Sequence, residues 1–277
     1  MSTLRKISRK TKGKSHIFRL LGPHHVRKLQ SLLSKRQIEE VDLVYDYFRS
    51  EAVEADRLMV DVGAHYGTSL GRFAADGWNV HAFEPDDHNR AVLEIRHGYR
   101  KNLTINSSAA SDTSGGEAEF FTSEVSTGIS GLNAFDTSHT SSQKVPLVRL
   151  DDYCFSNGID RIDFLKIDTE GHDLIVLRGL DLAKICTDVI LCEFEDKKTL
   201  PRGYDRKEMA DYLSDQGYQI VVSEWFPIEA YGARHRWKGF RNSMVETGPD
   251  SWGNIIAFRD KMPSALIARY ARRSASI

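Results

Sequence analysis

From residue 57 onward, apolar runs and polar turns succeed one another in a regular rhythm. LMVDV (58–62) is an apolar run that stops at Gly63, which predicts a buried strand entering a turn. TSLGRFAADG (68–77) predicts a helix closed by Gly77, NVHAFEP (79–85) a second strand stopped by Pro85, and HNRAVLEIRH (88–97) a second helix. LTINSSAAS (103–111) reads as a third strand with its following loop. EAEFFT (117–122) is β-rich, and a Ser/Thr/Gly-rich loop runs through residues 122–143. KVPLVRLDDYC (144–154) reads as a short strand and a turn, IDFLKIDTEG (162–171) as a strand with turn signals, and HDLIVLRGL (172–180) as a helix. DVILCEF (188–194) and YQIVVSE (218–224) are strands on either side of a helix, RKEMADYLSDQG (206–217). NIIAFR (254–259) is the last strand, and 261–273 suits a short helix.

Strands alternate with helices, and most strands are apolar throughout. That pattern predicts an α/β fold with a mostly parallel, doubly wound sheet covered on both faces. The last two strands have no helix between them, so the final strand is expected to run antiparallel, with 225–252 as an insert. Upstream, Ile38, Val41, Val44, Tyr45 and Phe48 lie at helical spacing. The expected organisation is a basic arm (1–36), an N-terminal helix (37–57), a main domain (58–260) and a basic tail (261–277).

Charge changes this picture at the ends. The net charge is −1, yet eleven Lys and Arg fall between Arg5 and Arg36, and no acidic residue precedes Glu39. Such an arm suits a solvated extension or a peripheral dock for anionic lipid. No apolar run is long enough for a transmembrane helix, and the N-terminus lacks a secretory signal's apolar segment. Cys154, Cys186 and Cys192 form no CxxC pair, which argues against a zinc site or disulfide framework and for reduced residues in a cytoplasmic protein.

Chemistry gathers at four strand ends, where an open α/β sheet binds ligands. After the first strand, Asp61-Val62-Gly63-Ala64-His65-Tyr66-Gly67-Thr68 gives G-x-x-x-G, a turn that lets backbone approach a ligand, with the next helix aiming its amides there. The absence of G-x-G-x-x-G disfavours a dinucleotide oxidoreductase. Glu84, before Pro85, ends the second strand and suits a ribose diol. Ser108 and Ala109, within SSAASD, leave room for a flat ring. Asp168-Thr169-Glu170-Gly171-His172-Asp173 crowds four ionisable side chains into six residues, more than helix capping needs.

These segments together resemble the FkbM family of S-adenosylmethionine (SAM)-dependent methyltransferases. The matching pieces are VDVGAHYGT, AFEP, SSAASD, VPLVRLDD, IDFLKIDTEGHDLIVLRG and ILCEF, and the likeness spans roughly residues 58–223. It implies a Rossmann-like class I fold, SAM as methyl donor, and O-methylation, often of a sugar hydroxyl in a glycan, glycolipid or natural product. It also implies that Asp61, Gly63 and Gly67, with Ala64, Tyr66 and Thr68, lie along the methionine part of SAM. Glu84 and Pro85 would then hold the ribose, Ser108 and Ala109 would flank the adenine, and Asp168 would sit near the methyl.

A hydroxyl acceptor is helped by a general base. His172 or Asp168 is expected to take the proton, with Glu170 orienting that base or binding neighbouring sugar hydroxyls and Glu193 a weaker candidate. A divalent metal held by Asp168, Glu170, His172 and Glu193 is the less favoured arrangement. The aromatic and basic insert, with Trp225, Phe226, Tyr231, Trp237 and Phe240 among Arg234, His235, Arg236, Lys238 and Arg241, suits an acceptor lid. A nucleic-acid substrate is not favoured, since Asp168-Thr169-Glu170-Gly171 stands where an NPPY-type segment would be needed. A non-catalytic scaffold of the same fold and a methyltransferase of another small-molecule hydroxyl both stay open.

Overall fold

The computed structural model describes residues 39–51, 56–123, 126–228 and 235–275. The basic arm, Ile38, Tyr231, Arg234 and the last two residues of the tail lie outside the described residues.

Helix α1 (Glu40–Ser50) has Glu40 and Asp42 in its first turn and Arg49 in its last, which complements the helix dipole. Its Leu43, Val44 and Phe48 are buried. An eight-stranded sheet follows, made of β1 (Leu58–Val62), β2 (Asn79–Phe83), β3 (Leu103–Asn106), β7 (Arg161–Ile167), β8 (Cys186–Glu195), β9 (Gln219–Trp225), β10 (Trp237–Arg241) and β11 (Trp252–Phe258). Its order is β10-β9-β11-β8-β7-β1-β2-β3. β1 pairs parallel with β2 and β7, and β7 pairs parallel with β8. The chain fills the sheet outward from β1 in one direction and from β7 in the other, so the β1/β7 junction is the switch point where such sheets bind ligands. Every residue of β1 is buried, and so are Ile162 to Ile167 of β7. This is the Rossmann-like class I architecture expected from the sequence.

β11 lies antiparallel between β8 and β9, as the missing helix before it implies. The segment without clear periodicity supplies β10, a further antiparallel strand at the sheet's edge. Between the main strands lie α2 (Gly71–Ala75), α3 (Asp87–His97), α4 (Leu150–Ser156), α5 (Asp173–Arg178), α6 (Asp196–Thr199) and α7 (Arg206–Asp215). Near the C-terminus, α8 (Ser264–Ala275) places Tyr270 Oη 2.9 Å from Asp46 of α1.

Three expectations need correction. Residues 103–111 do not make one strand and a loop. Leu103–Asn106 joins the main sheet, while Ala109–Ser111 forms β4 of a separate three-stranded sheet with β5 (Glu117–Ser123) and β6 (His139–Arg149), in the order β4-β6-β5. The strand at 144–149 is not short, because β6 runs from His139 to Arg149 and pairs antiparallel with β5 (Glu117–Ser123). LDDYC is not a turn but the start of α4, whose first turn carries Asp151 and Asp152. In the first two cases the deciding partner is distant in sequence. Ala109, Phe120 and Val145 bury one another in a small core that no local pattern announces. Cys154 and Cys192 are buried, and Cys186 is half-buried at the start of β8.

Candidate functional site

The chain leaves β1 through a turn shaped by β2 and β7. The amides of Gly63 and Ala64 both donate to the carbonyl of Phe83, each at 3.0 Å. Gly63 has φ +77°, and a Cβ there would collide with the carbonyl oxygen of Asp168. Glycine is therefore demanded twice, by backbone conformation and by the proximity of the β7 exit. The next amide, His65 N, donates to Glu84 Oε2 at 2.6 Å, and Asp86 N donates to Glu84 Oε1 at 2.9 Å. Two backbone donors thus orient the Glu84 carboxylate at the end of β2. Burial still pushes its pKa up to about 7.

A cleft of about 740 Å³, its open mouth included, lies over the β1/β7 junction. Of the residues expected from sequence, Gly63, Glu84, Pro85, Ser108, Ala109, Asp168, Glu170 and His172 line it. Others have different surroundings. Ala64 is buried, Thr68 is exposed, and the Tyr66 ring stacks on that of His65 with centroids 3.8 Å apart. The space beside Gly67 is filled by Leu93 and His97 of α3, so that glycine answers to helix packing. α2 begins only at Gly71, after a run of turns, so the expected helix amides do not begin at the glycine turn. In their place the His65 amide is committed to Glu84.

Asp61 is fully buried and faces Lys166, whose Nζ lies 3.3 Å away and also 3.2 Å from Asp168. Against the desolvation that would raise it, Lys166 holds the Asp168 carboxyl below its ordinary value. Its side chain remains 42% exposed.

Glu170 adopts φ +55°, a left-handed conformation uncommon for a side-chain-bearing residue and costing about 1–3 kcal/mol. Gly171 follows at φ +92°, where a Cβ would press on Lys198. Lys198, almost wholly buried at the end of α6, lies 2.6 Å from Glu170, 2.9 Å from Glu193 and 3.0 Å from Glu195. Burial pushes Glu170 up to about 7 although Lys198 pulls it down, and Glu193 is raised for the same reason. Asp173 Oδ1 accepts the Glu193 amide at 3.2 Å, and its Oδ2 accepts Thr169 Oγ1 at 3.0 Å, which locks the loop to β8.

His172 parts from this carboxylate group. Its Nε2 lies 3.1 Å from Ser111 Oγ at the end of β4, and its Nδ1 is buried without a hydrogen-bond partner. Burial and, secondarily, Arg202 lower its pKa to about 4. The imidazole is therefore neutral at pH 7 and a weak base. Asp168, Glu170 and Glu193 can each bring one oxygen within 4.8 Å of the others. Such a set could hold a cation, but the Lys198 ammonium already touches two of the three.

Sequence reasoning missed several cleft residues. Thr127, Gly128, Ser130, Gly131 and Leu132 close one wall. Thr127 Oγ1 lies 3.1 Å from both His65 Nε2 and Tyr66 Oη, and the Thr127 carbonyl accepts Asn89 Nδ2 at 3.3 Å. The buried Asn89 Oδ1 has no hydrogen-bond partner. Lys166 and Lys198 did carry a signal. A lysine inside the apolar run FLKI, and another next to three acids, need buried counter-charges.

The methyltransferase FkbM domain family matches residues 61–220, more than half of the chain. A curated relative, hexuronic acid methyltransferase AglP of Haloferax volcanii, is 25% identical over 174 residues, which is 63% of this chain and 68% of the relative. Among solved structures, magnesium protoporphyrin IX methyltransferase of Synechocystis PCC 6803 with bound SAM aligns at a TM-score of 0.44 and 12% identity, covering 89% of this chain and 97% of the other. Precorrin-6y C5,15-methyltransferase of Geobacter metallireducens GS-15 aligns at 0.40 and 14%, covering 82% and 91%.

Proposed function

Since the chain belongs to the FkbM family of methyltransferases, and is thereby a SAM-dependent enzyme, we propose that it methylates a hydroxyl oxygen of a sugar in a glycan, glycolipid or glycosylated small molecule. The named acceptor of the Haloferax volcanii relative, a hexuronic acid, supports a sugar.

The cleft fits the cofactor on this chain's own features. Glu84 keeps lone pairs beyond the two amides it accepts, and these suit a vicinal diol. The unpartnered Oδ1 of Asn89, which lines the same cleft, is a further buried acceptor. Bare backbone at Gly63 and small side chains at Ser108 and Ala109 leave room for a long, partly flat ligand. When bound, SAM supplies a methyl group already activated by its sulfonium. Asp168, held ionised by Lys166, places a negative charge beside that end of the cleft.

The residues must then align an oxygen and take its proton. Glu170 is our choice for the base. The observation that carries this reading is its geometry: an acid in a left-handed turn, lining the cleft and fixed 2.6 Å from a buried lysine. A pKa near 7 keeps part of it ionised at neutral pH while leaving it a better base than an ordinary carboxylate. Glu193 shares the same ammonium and orients it. His172 then serves as a neutral wall beside Ser111. Lys198 supplies the cation that a metal would otherwise bring, so turnover proceeds in EDTA.

Contact between the basic arm and an anionic membrane, in a cytoplasmic enzyme, is part of this proposal and concerns residues outside those described. Among the described residues no helix is long and apolar enough to cross a membrane.

The test is transfer of labelled methyl from SAM to a panel of glycans, with wild type and Glu170→Gln. Glu170→Gln is expected to lower kcat by about 10²–10⁴-fold and to leave affinity for S-adenosylhomocysteine unchanged. Labelling of a nitrogen or a carbon in place of a hydroxyl, or a fully active Glu170→Gln, would refute the proposal.

A further inference from the structure

His172 lines the cleft over the β1/β7 junction, yet the catalytic reading above gives it no task. Its side chain is nine-tenths buried or more, and Nδ1 has no hydrogen-bond partner among the described residues. Ser130 Oγ, in the same lining, is also buried and unpartnered. A bare buried polar atom is costly unless something completes it. The surroundings of His172 are apolar and narrow. Ala109, Phe120 and Leu132 pack together in the small core and also line the cleft. Ser111 stands two residues after Ala109 on β4, on the same face of the strand, and its Oγ lies 3.1 Å from His172 Nε2. The imidazole therefore stands beside an apolar slot formed where the small sheet meets the cleft.

A chain of hydrogen bonds fixes the tautomer of that ring. Ser111 Oγ lies 3.4 Å from Asp112 Oδ1, and a carboxylate only accepts, so the hydroxyl proton points there. Ser111 Oγ then accepts from His172 Nε2–H. A neutral imidazole carries one proton, which leaves Nδ1 as a bare lone pair. Burial keeps the ring neutral by lowering its pKa to about 4. To a ligand the ring thus offers an acceptor and no donor, while the Ser130 hydroxyl is free to donate. An uncharged apolar slot with one acceptor and one donor complements a flat heteroaromatic ring that carries an amino group. A sugar ring, with hydroxyls on every side, would leave most of them facing Phe120, Leu132 and the alanine methyl without partners.

We propose that His172 selects the base of the cofactor: its Nδ1 accepts a hydrogen bond from the 6-amino group of adenine and rejects a 6-keto purine. The inference rests on the cofactor placement proposed above, with the ribose at Glu84 and the methyl near Asp168, and deepens it. With those two ends taken, the base extends to the slot at Ala109. A 6-keto purine would turn a second acceptor toward Nδ1, and the two lone pairs would repel. Ser111 has a matching task, since it holds the imidazole in the tautomer that reads an amine.

The experiment is titration calorimetry of the full chain with S-adenosylhomocysteine and with S-inosylhomocysteine, its 6-keto counterpart. Wild type is expected to bind the adenine form about ten- to a hundredfold more tightly. His172→Phe should remove that preference, by weakening the adenine form and leaving the inosine form within about twofold of wild type. Two amides separate this contact from a structural role. Asparagine can set its oxygen where Nδ1 lies and glutamine where Nε2 lies, so His172→Asn should retain the preference for adenine and His172→Gln should lose it. The pair decides the matter even if His172→Phe fails to fold. Equal binding of both ligands by wild type overturns the inference. So does an unaltered preference in His172→Phe, a preference kept by His172→Gln and lost by His172→Asn, or equal loss of both ligands in every variant. The two readings fail separately. Methyl found only on nitrogen or carbon, with the adenine preference set by His172, would sink the hydroxyl acceptor alone. Methyl transfer to a sugar hydroxyl by a protein that binds both homocysteines alike would sink the role of His172 alone.

Discussion

The two sides of the β1/β7 junction solve different problems. On the β1/β2 side the cleft is built from backbone: a left-handed glycine, amides of His65 and Asp86 aimed at one carboxylate, and small residues at Ser108 and Ala109. On the β7/β8 side it is built from buried charge, with Lys166 between Asp61 and Asp168 and Lys198 among Glu170, Glu193 and Glu195. A backbone cradle fixes shape and suits one invariant ligand. A buried charge network fixes protonation and suits chemistry. The difference teaches that binding and turnover should separate cleanly under mutation.

The largest expected effect is Gly63→Ala. The left-handed backbone alone costs about 1–3 kcal/mol, and the new methyl would also collide with the Asp168 carbonyl, which belongs to a strand exit and has little room to retreat. A fall in Tm together with a loss of more than about a hundredfold in affinity for S-adenosylhomocysteine is expected, since the residue joins both sides of the junction. Calorimetry and a thermal melt check it. A variant that binds normally would show that the β1 turn does not shape the cofactor end.

Next comes Glu84→Ala. Losing hydrogen bonds from a ribose diol to a charged group is worth about 1.5–3 kcal/mol, or roughly ten- to a hundredfold in affinity. Glu84→Gln, which keeps one carbonyl oxygen, should fall between. Titration calorimetry with S-adenosylhomocysteine decides it, and unchanged affinity in Glu84→Ala would remove the ribose role.

Legibility followed the same division. The main strands and the glycine turn were readable because their causes are local: apolar runs, a glycine at the strand end and an acid before a proline. The small sheet was not, since β4 and β6 meet across some 40 residues of chain and β4 is only three residues long. The charge network was half readable. The acids at 168–173 stood out, but which of them share a lysine depends on how α6 folds back beneath Gly171. His172 was grouped with those acids by sequence proximity, yet its ring turns to Ser111 instead. Gly67 was read as a ligand contact, whereas its Cβ space belongs to α3.

A subtler separation should appear against pH. Glu84 and Glu170 both have folded pKa values near 7, above the 4.5 of an exposed glutamate. The folded state therefore binds these protons more tightly. Their contribution to stability is complete below pH 4.5 and is lost as pH rises through 7. His172 acts in the opposite sense: with its pKa lowered from 6.5 to about 4, its contribution is present above 6.5 and lost as pH falls through 4. Function runs against the glutamate trend, because both carboxylates work ionised. Below pH 7, kcat should fall by about tenfold per unit in wild type. Glu84→Gln should flatten the pH dependence of S-adenosylhomocysteine binding and leave that of kcat. A binding profile that Glu84→Gln does not alter would assign its acid limb to another group.

The smallest effect tests whether the strap from the small sheet belongs to the cofactor end. Thr127 touches His65 and Tyr66 through its hydroxyl and Asn89 through its carbonyl. Thr127→Val removes the hydroxyl and keeps the carbonyl, so the strap should stay in place but hold less firmly. Solvent-exposed hydrogen bonds sit at the low end of the usual range, which corresponds to about a two- to threefold change. Stopped-flow release of S-adenosylhomocysteine should quicken by that factor, with the kcat pH profile unmoved. A shifted profile with unchanged release would instead couple Thr127 to the carboxylates of the β7/β8 side, and the division between cradle and charge network would then fail at its narrowest point.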